Sequence, residues 1–298
     1  MKQKIALVTG GAGFVGSHLC ERLLKKGYIV YSLDNYFTGK EKNHIKGVNY
    51  IKGSTENIES LIDFIPDYVY HLGEYSRVEQ SFEDIEIVYK FNKVGTFKVL
   101  EFVRKTGAKL IYAGSSTKFG DGGLGRSQSP YAWTKASNTE LVINYGNWFN
   151  IPYAITYFYN VYGPREIDEG KYATLIALFK KKMQKNEPLT IVSPGTQKRN
   201  FTHIDDIVDG LVLVGEEGYG DEFGIGSDES YSVLDVARMF LDIDIEEAIE
   251  KKKLIMLPPR RGNRMNADVI TEKTKALGWR PKRRLSDYIK KLKENNWK

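Results

Sequence analysis

The run Val8-Thr9-Gly10-Gly11-Ala12-Gly13-Phe14-Val15-Gly16 constrains this chain more than any other segment. It follows a short apolar stretch, Ile5–Val8, and opens a helical pattern over Phe14–Lys26. Gly10 permits the tight turn, Gly13 lets the backbone approach a bound pyrophosphate, and Gly16 lets the helix pack closely on the strand. The helix start offers unpaired N–H groups and the positive end of its dipole to phosphate. A glycine run alone is an ordinary strand-to-helix turn. Here a strand precedes it, a helix follows, and an acidic residue, Asp34, ends the next apolar run at Ser32-Leu33-Asp34-Asn35. A carboxylate there accepts hydrogen bonds from a ribose diol and repels a 2′-phosphate, which points to NAD rather than NADP.

The alternation of apolar runs and helical patterns continues along the first half of the chain. Ile29–Leu33, Val48–Ile51, Tyr68–Leu72 and Lys109–Ala113 read as buried strands, with helices at Ile58–Phe64 and roughly 83–105. A long helix over 131–149 and a sixth strand, Ile155–Tyr159, follow. The expected fold is α/β, a Rossmann-like doubly wound parallel sheet with helices on both faces. Beyond about residue 165 the rhythm breaks into helices near 171–184, 204–215 and 232–240, with a short strand at 189–192. Two parts are therefore expected. Residues 1–165 form a dinucleotide-binding domain that also carries the catalytic residues, and 166–298 a smaller mixed α/β substrate lobe, with some chain crossing back. Gly120–Gly125 reads as a mobile loop.

With 41% hydrophobic and 28% charged residues, the chain has the composition of a folded soluble protein. A net charge of +6 favours an anionic partner, but the basic clusters at 180–182, 251–253 and 282–284 are scattered. A diphosphate-bearing small molecule is favoured over nucleic acid. Cys20 is the single cysteine, which excludes an intrachain disulfide and any metal site built of several cysteines. No metal is expected. No apolar run approaches the roughly 18 residues that a membrane-spanning helix needs. Nothing in the opening residues reads as a secretory leader, so no membrane association and a cytoplasmic location are expected.

Tyr131 and Lys135 stand one turn apart on the helix that begins after Ser129-Pro130. An ammonium beside a phenol favours the phenolate, so the pair can take a proton from an alcohol. Such pairs are also common on ordinary helix surfaces, and the neighbourhood decides between the two readings. The fifth strand ends in Ile111-Tyr112-Ala113-Gly114-Ser115-Ser116-Thr117. That is the strand end where doubly wound sheets place ligands. Ser115 is thus a candidate to share a hydrogen bond with the substrate oxygen.

These motifs combine with His71-Leu72-Gly73, Asn92-Lys93-Val94-Gly95-Thr96, Asn160-Val161-Tyr162-Gly163-Pro164 and Arg199-Asn200-Phe201-Thr202-His203-Ile204-Asp205-Asp206. As an ordered set spanning essentially the whole chain, they resemble the extended short-chain dehydrogenase/reductase family. Within it, the chain is similar to the NAD-dependent nucleotide-sugar epimerases and dehydratases, and to the UDP-glucose and UDP-N-acetylglucosamine 4-epimerases in particular. The resemblance implies that Tyr131 is the base. It implies that Lys135 tunes the base and holds the nicotinamide ribose, and that Ser115 bridges to the substrate hydroxyl. It implies NAD contacts from Gly10, Gly13, Phe14, Val15, Gly16, Asp34, Asn35, Thr38, Gly39, Ser54 and Thr55. Further cofactor contacts would come from Leu72, Gly73, Ser76, Asn92, Tyr131, Lys135 and Tyr159. Substrate contacts fall on Ser76, Ser115, Ser116, Tyr131, Asn160, Arg199 and Arg260, where arginine suits phosphate as a planar fork of donors. It also implies a homodimer through the helices near 83–105 and 131–149. Ile87, Phe91, Val142 and Trp148 on those helices face either the partner or the sheet.

The family oxidises the sugar at carbon 4 and then diverges. Relatives that dehydrate carry an Asp-Glu pair directly after the catalytic hydroxyl, where this chain has Ser116 and Thr117, and decarboxylating relatives carry Glu at the position of Thr117. Keto-sugar reductases prefer NADP, which Asp34 opposes. What remains is a 4-epimerase acting on a UDP-sugar through a transient 4-keto intermediate. The alternatives are a 4,6-dehydratase or a carbon-2, -3 or -5 epimerase on a dTDP-, GDP- or CDP-sugar, and a non-catalytic NAD-binding regulator. The chain departs from the family pattern in places. The segment between Gly120 and Ser129 is short and lacks a Pro-x-x-Glu element, and Asn263 replaces an aspartate. Glu74 and Arg77 stand where 4-epimerases have small, neutral residues. These two charges are expected either to pair with each other or to act separately. In the second case Arg77 meets an anionic sugar such as a uronic acid and Glu74 serves as an additional acid or base.

Overall fold

The computed structural model describes residues 3–119, 121–259 and 268–298, with backbone alone at 121 and 122. Seven strands form one sheet: β1 (Ile5–Thr9), β2 (Ile29–Asp34), β3 (Asn49–Lys52), β4 (Tyr68–His71), β5 (Lys109–Ser115), β6 (Tyr153–Phe158) and β7 (Gly220–Ile225). They lie in the order β3-β2-β1-β4-β5-β6-β7, every neighbouring pair parallel. The order reverses between β1 and β4, which opens a crevice at the strand ends there.

Side chains alternate across the sheet, as a strand's two-residue period requires. Leu7, Val69, Leu110 and Tyr112 face one side and Ala6, Val8, Tyr70 and Ile111 the other. The larger helices are α1 (Phe14–Lys25), α2 (Gly95–Thr106), α3 (Pro130–Phe149), α4 (Leu175–Gln184), α5 (Ile204–Glu217), α6 (Val233–Leu241) and α7 (Leu285–Glu294). Helices α2 and α3 cover the first face with Val99, Val103 and Val142, and α1 and α5 the second with Leu19, Leu23, Ile207 and Leu211. A separate core joins Phe179 of α4, Phe240 of α6 and Ile289 of α7 with Ile191. It is bordered by the parallel pair Leu189–Val192 and Leu254–Leu257.

Several elements differ from expectation. The helix anticipated at Ile58–Phe64 stops at Leu61, because Ile62 turns to extended backbone and packs into the core. The helix anticipated over 83–105 runs unbroken from Ile85 to Thr106, but with a π-helical stretch, Tyr89–Val94, between a first turn, Ile85–Val88, and α2. Around Gly120–Gly125, anticipated as a mobile loop, the chain forms 3-10 turns at Ser116–Phe119 and Asp121–Ser127. Strand β7 was not anticipated. Gly220-Asp221-Glu222-Phe223-Gly224-Ile225 is too polar to read as a buried strand, and pairing of Phe223 with Thr156 and Ile225 with Phe158 makes it one. Its Gly224 is required, since a Cβ there would lie 1.5 Å from the Ile270 carbonyl oxygen of the chain crossing over it. Among the described residues, no helix is long and apolar enough to cross a membrane, and no cluster of His, Cys, Asp and Glu has metal-holding geometry.

Candidate active site

A cavity of about 750 Å³ opens at the C-terminal ends of β1, β2, β4 and β5 and runs to the α4 region. Its dinucleotide end is built largely from main chain. Gly10 has φ +75°, a backbone that L side chains rarely adopt, and donates its N–H to the Leu33 carbonyl at 2.8 Å. A Cβ on Gly16 would fall 2.1 Å from the Gly10 carbonyl oxygen, so the helix starts this close to the turn only with glycine there. The buried Asp34 carboxylate accepts from the Ala12 N–H at 2.9 Å and the Tyr36 N–H at 2.8 Å. Burial pushes its carboxyl up despite those two bonds. Phe14, Val15, Asn35, Thr38, Gly39, Thr55, Leu72, Gly73 and Ser76 line the same space. A glycine backbone free of Cβ groups at a helix start, with a carboxylate one strand away, fits an adenine dinucleotide bearing an unmodified ribose.

At the other end, Ser129 caps α3. Its Oγ accepts the Ala132 N–H at 3.1 Å, and Pro130 takes the first helical position, where no N–H is needed. Tyr131 therefore sits in the first turn and Lys135 in the next, and both line the cavity. Ser115 lies buried at the end of β5, its Oγ 2.9 Å from the Thr117 hydroxyl. The Lys135 ammonium is buried. It donates to the Glu74 carboxylate and the Ala113 carbonyl, and lies 4.7 Å from the centre of the Tyr112 ring. Ser116, Asn160 and Arg199 also line the cavity. Asn160 holds a positive φ of 34° and donates to the Asn200 carbonyl at 3.2 Å.

Three residues expected at the cofactor do not line the cavity. Ser54 donates to the Glu56 carboxylate at 2.9 Å and caps a 3-10 turn. Asn92, inside the π-helical stretch, accepts the Tyr75 N–H at 2.7 Å and donates to the Tyr75 carbonyl at 3.2 Å and to Thr134 at 3.0 Å. It thereby fixes the backbone next to Ser76. Tyr159 lies in the core and its hydroxyl accepts the Ile270 N–H at 3.0 Å. Arg260 and Asn263 lie outside the described residues.

Glu74 and Arg77 do not pair. Glu74 turns inward to Lys135, while Arg77 donates through Nε to the Tyr172 carbonyl at 2.9 Å and through Nη1 to the Ser76 carbonyl at 2.9 Å. Among the described residues no carboxylate forms an ion pair with Arg77, and burial lowers its pKa. Glu166 also lines the cavity and was not anticipated. It accepts the Thr174 hydroxyl at 2.6 Å and the Gly163 N–H at 3.0 Å, and burial pushes its carboxyl up to about 7. Its position directly after Gly163-Pro164-Arg165 was the available signal. Nothing local, however, shows that this carboxylate folds inward.

A profile of the NAD dependent epimerase/dehydratase family matches residues 6–226. The UDP-glucuronic acid decarboxylase 4 of Arabidopsis thaliana is 30% identical over 95% of this chain, which spans 66% of that protein's length. The UDP-glucose 4-epimerase of Thermotoga maritima, solved with UDP-glucose, superposes with a TM-score of 0.87 at 29% identity, covering 96% of both chains. The UDP-glucose 4-epimerase of Thermus thermophilus, solved with NAD, gives 0.86 at 28% identity over 98% of both. With its glycine cradle, its inward Asp34 and the Ser115, Tyr131 and Lys135 side chains at one cavity, this chain belongs to the NAD-dependent epimerase/dehydratase family.

Proposed function

We propose that this protein is a nucleotide-sugar 4-epimerase acting on a UDP-sugar through a transient 4-keto intermediate. Its cofactor is NAD, which supplies reversible hydride transfer. Gly10, Gly13 and Gly16 would hold its diphosphate and Asp34 its ribose. Tyr131 takes the proton of the sugar 4-hydroxyl as the hydride leaves carbon 4, and returns it after the ketone has turned over. Ser115 orients that oxygen, and the Lys135 cation favours the phenolate. Asn160 and Arg199, with Arg260, would grip the substrate diphosphate.

One observation carries the choice among reactions. The residues following Ser115 at the cavity are Ser116 and Thr117, hydroxyls that do not replace a carboxylate base. The test is a panel of UDP-sugars with the NAD-loaded protein, read by proton NMR in deuterated water. Inversion at carbon 4 without deuterium at carbon 3 or 5 is expected. Loss of water or carbon dioxide, or solvent deuterium in the product, would overturn the assignment.

A half-buried arginine at the cavity favours a second reading in which the sugar is a uronic acid, and the similarity to a UDP-glucuronic acid decarboxylase agrees with it. On this reading Arg77→Ala raises KM for UDP-glucuronate about tenfold or more and leaves UDP-glucose unaffected. Equal effects on both sugars would remove it.

The protein would act as a homodimer. Ile85, Tyr89, Phe97, Trp133, Trp148 and Phe149 leave large apolar side chains exposed on the helices around α2 and α3, an unusual concentration for a free surface. Val142, by contrast, faces the sheet, and Phe91 packs on Phe37 at the cavity. Sedimentation as a monomer at micromolar concentration would count against the pairing.

A further inference from the structure

The proton chemistry proposed for Tyr131 leaves the buried Glu74 carboxylate without a role. The Glu74 side chain is 2% exposed, and donors from several elements converge on it. Its Oε2 accepts from Lys135 on α3. Its Oε1 accepts from the Thr96 hydroxyl on α2 at 2.7 Å, the Asn138 amide on α3 at 3.0 Å and the Tyr112 hydroxyl on β5 at 3.2 Å. Because Thr96 gives its one proton to Glu74, it must accept from His71 Nε2 at 3.0 Å, and His71 Nδ1 then accepts from Thr9 at 2.7 Å. Burial pushes His71 down to about 4, so that ring is neutral near pH 7. Lys93, from the π-helical stretch, faces the same cluster and donates to Asn138 Oδ1 at 2.9 Å. Burial opposes the charge of Glu74, yet Lys135 and the surrounding donors hold its carboxyl below the usual range. A carboxylate with its oxygens committed to these donors is poorly placed to take or give a proton at a sugar.

We propose that Glu74 is a positioning residue for the reaction, pinning the Lys135 ammonium beside the Ala113 carbonyl and sharing its charge. The cation one helical turn from Tyr131 is thereby fixed in place and weakened. This rests on reading Tyr131 and Lys135 as the catalytic pair. Burying a carboxylate against a buried ammonium costs more desolvation than burying a neutral side chain there would. At this site that cost is met by a contact placed one helical turn from the proposed base.

The test compares Glu74→Gln and Glu74→Asp with the parent, all loaded with NAD. Two quantities are read. One is the pH profile of kcat/KM. The other, independent of turnover, is the ultraviolet phenolate absorbance titrated as a difference against Tyr131→Phe in each background. With Glu74→Gln, the acidic limb and the phenolate titration should both move to lower pH by about one unit, since the uncompensated cation favours the phenolate more strongly. Plateau kcat should fall while KM changes little, and Glu74→Asp should return the profile toward the parent. Curves superimposable on the parent in a folded Glu74→Gln protein would overturn the proposal. Should that variant not fold, 15N NMR of the lysine side chains in the parent decides. A slowly exchanging ammonium resonance that disappears in Lys135→Met is expected, and its absence overturns the proposal. A shifted phenolate titration without turnover of any sugar would sink the epimerase reading and leave this one standing.

Discussion

At the dinucleotide end of the cavity the lining is largely glycine and main chain, whereas around Tyr131 it is side-chain charge. The first end is settled by neighbours in sequence, since Gly10, Gly13 and Gly16 belong to one turn and Asp34 ends the adjoining strand. The second is settled by residues far apart. Glu74 meets Lys135 across 61 residues, and Arg77 meets Tyr172 across 95. Backbone shape suits a ligand part common to many reactions, while placed charge is how one reaction is chosen over another.

The contrast breaks most readily at Tyr131. Tyr131→Phe should lower kcat at least about a hundredfold, the low end for losing a general base. Affinity for NAD, measured by fluorescence titration, should fall far less than kcat, and an equal loss in both would mean that the two ends are not separable. Gly16→Ala probes the opposite end. Its Cβ would overlap the Gly10 carbonyl, an overpacking cost on the order of 1–3 kcal/mol. NAD affinity should fall about tenfold or more, with the pH profile of the bound enzyme unchanged.

The smallest effect concerns Glu166. Its native carboxyl, pushed up to about 7, stays protonated where an ordinary carboxyl near 4.5 has already ionised. Over that interval the native state binds more protons than the unfolded one, so its contribution is complete below about pH 4.5 and is lost as the pH rises through 7. Glu166→Gln should flatten this slope in urea unfolding followed between about pH 4.5 and 8. A slope unchanged by the substitution would place the titrating group elsewhere.

The same division explains what sequence reading reached. The first six strands and the glycine turn were legible because apolar period and turn chemistry are local. The inward course of Glu74 was not, because a lone glutamate after His71-Leu72-Gly73 carries no sign of the lysine it will meet. Asn92, anticipated to order the active site and to lie at the cofactor, braces the backbone of Tyr75, a placement set by the π-helical stretch that holds it. Such stretches have no reliable local signature.

Strand β7 has a consequence for anyone dividing this polypeptide. A fragment ended near residue 165 would leave β6 as a raw border, its unpaired amides and carbonyls ready to recruit another copy. Truncation there should yield inclusion bodies in place of a minimal cofactor binder. Any graft that swaps the distal half for a relative's must carry its own matching seventh strand.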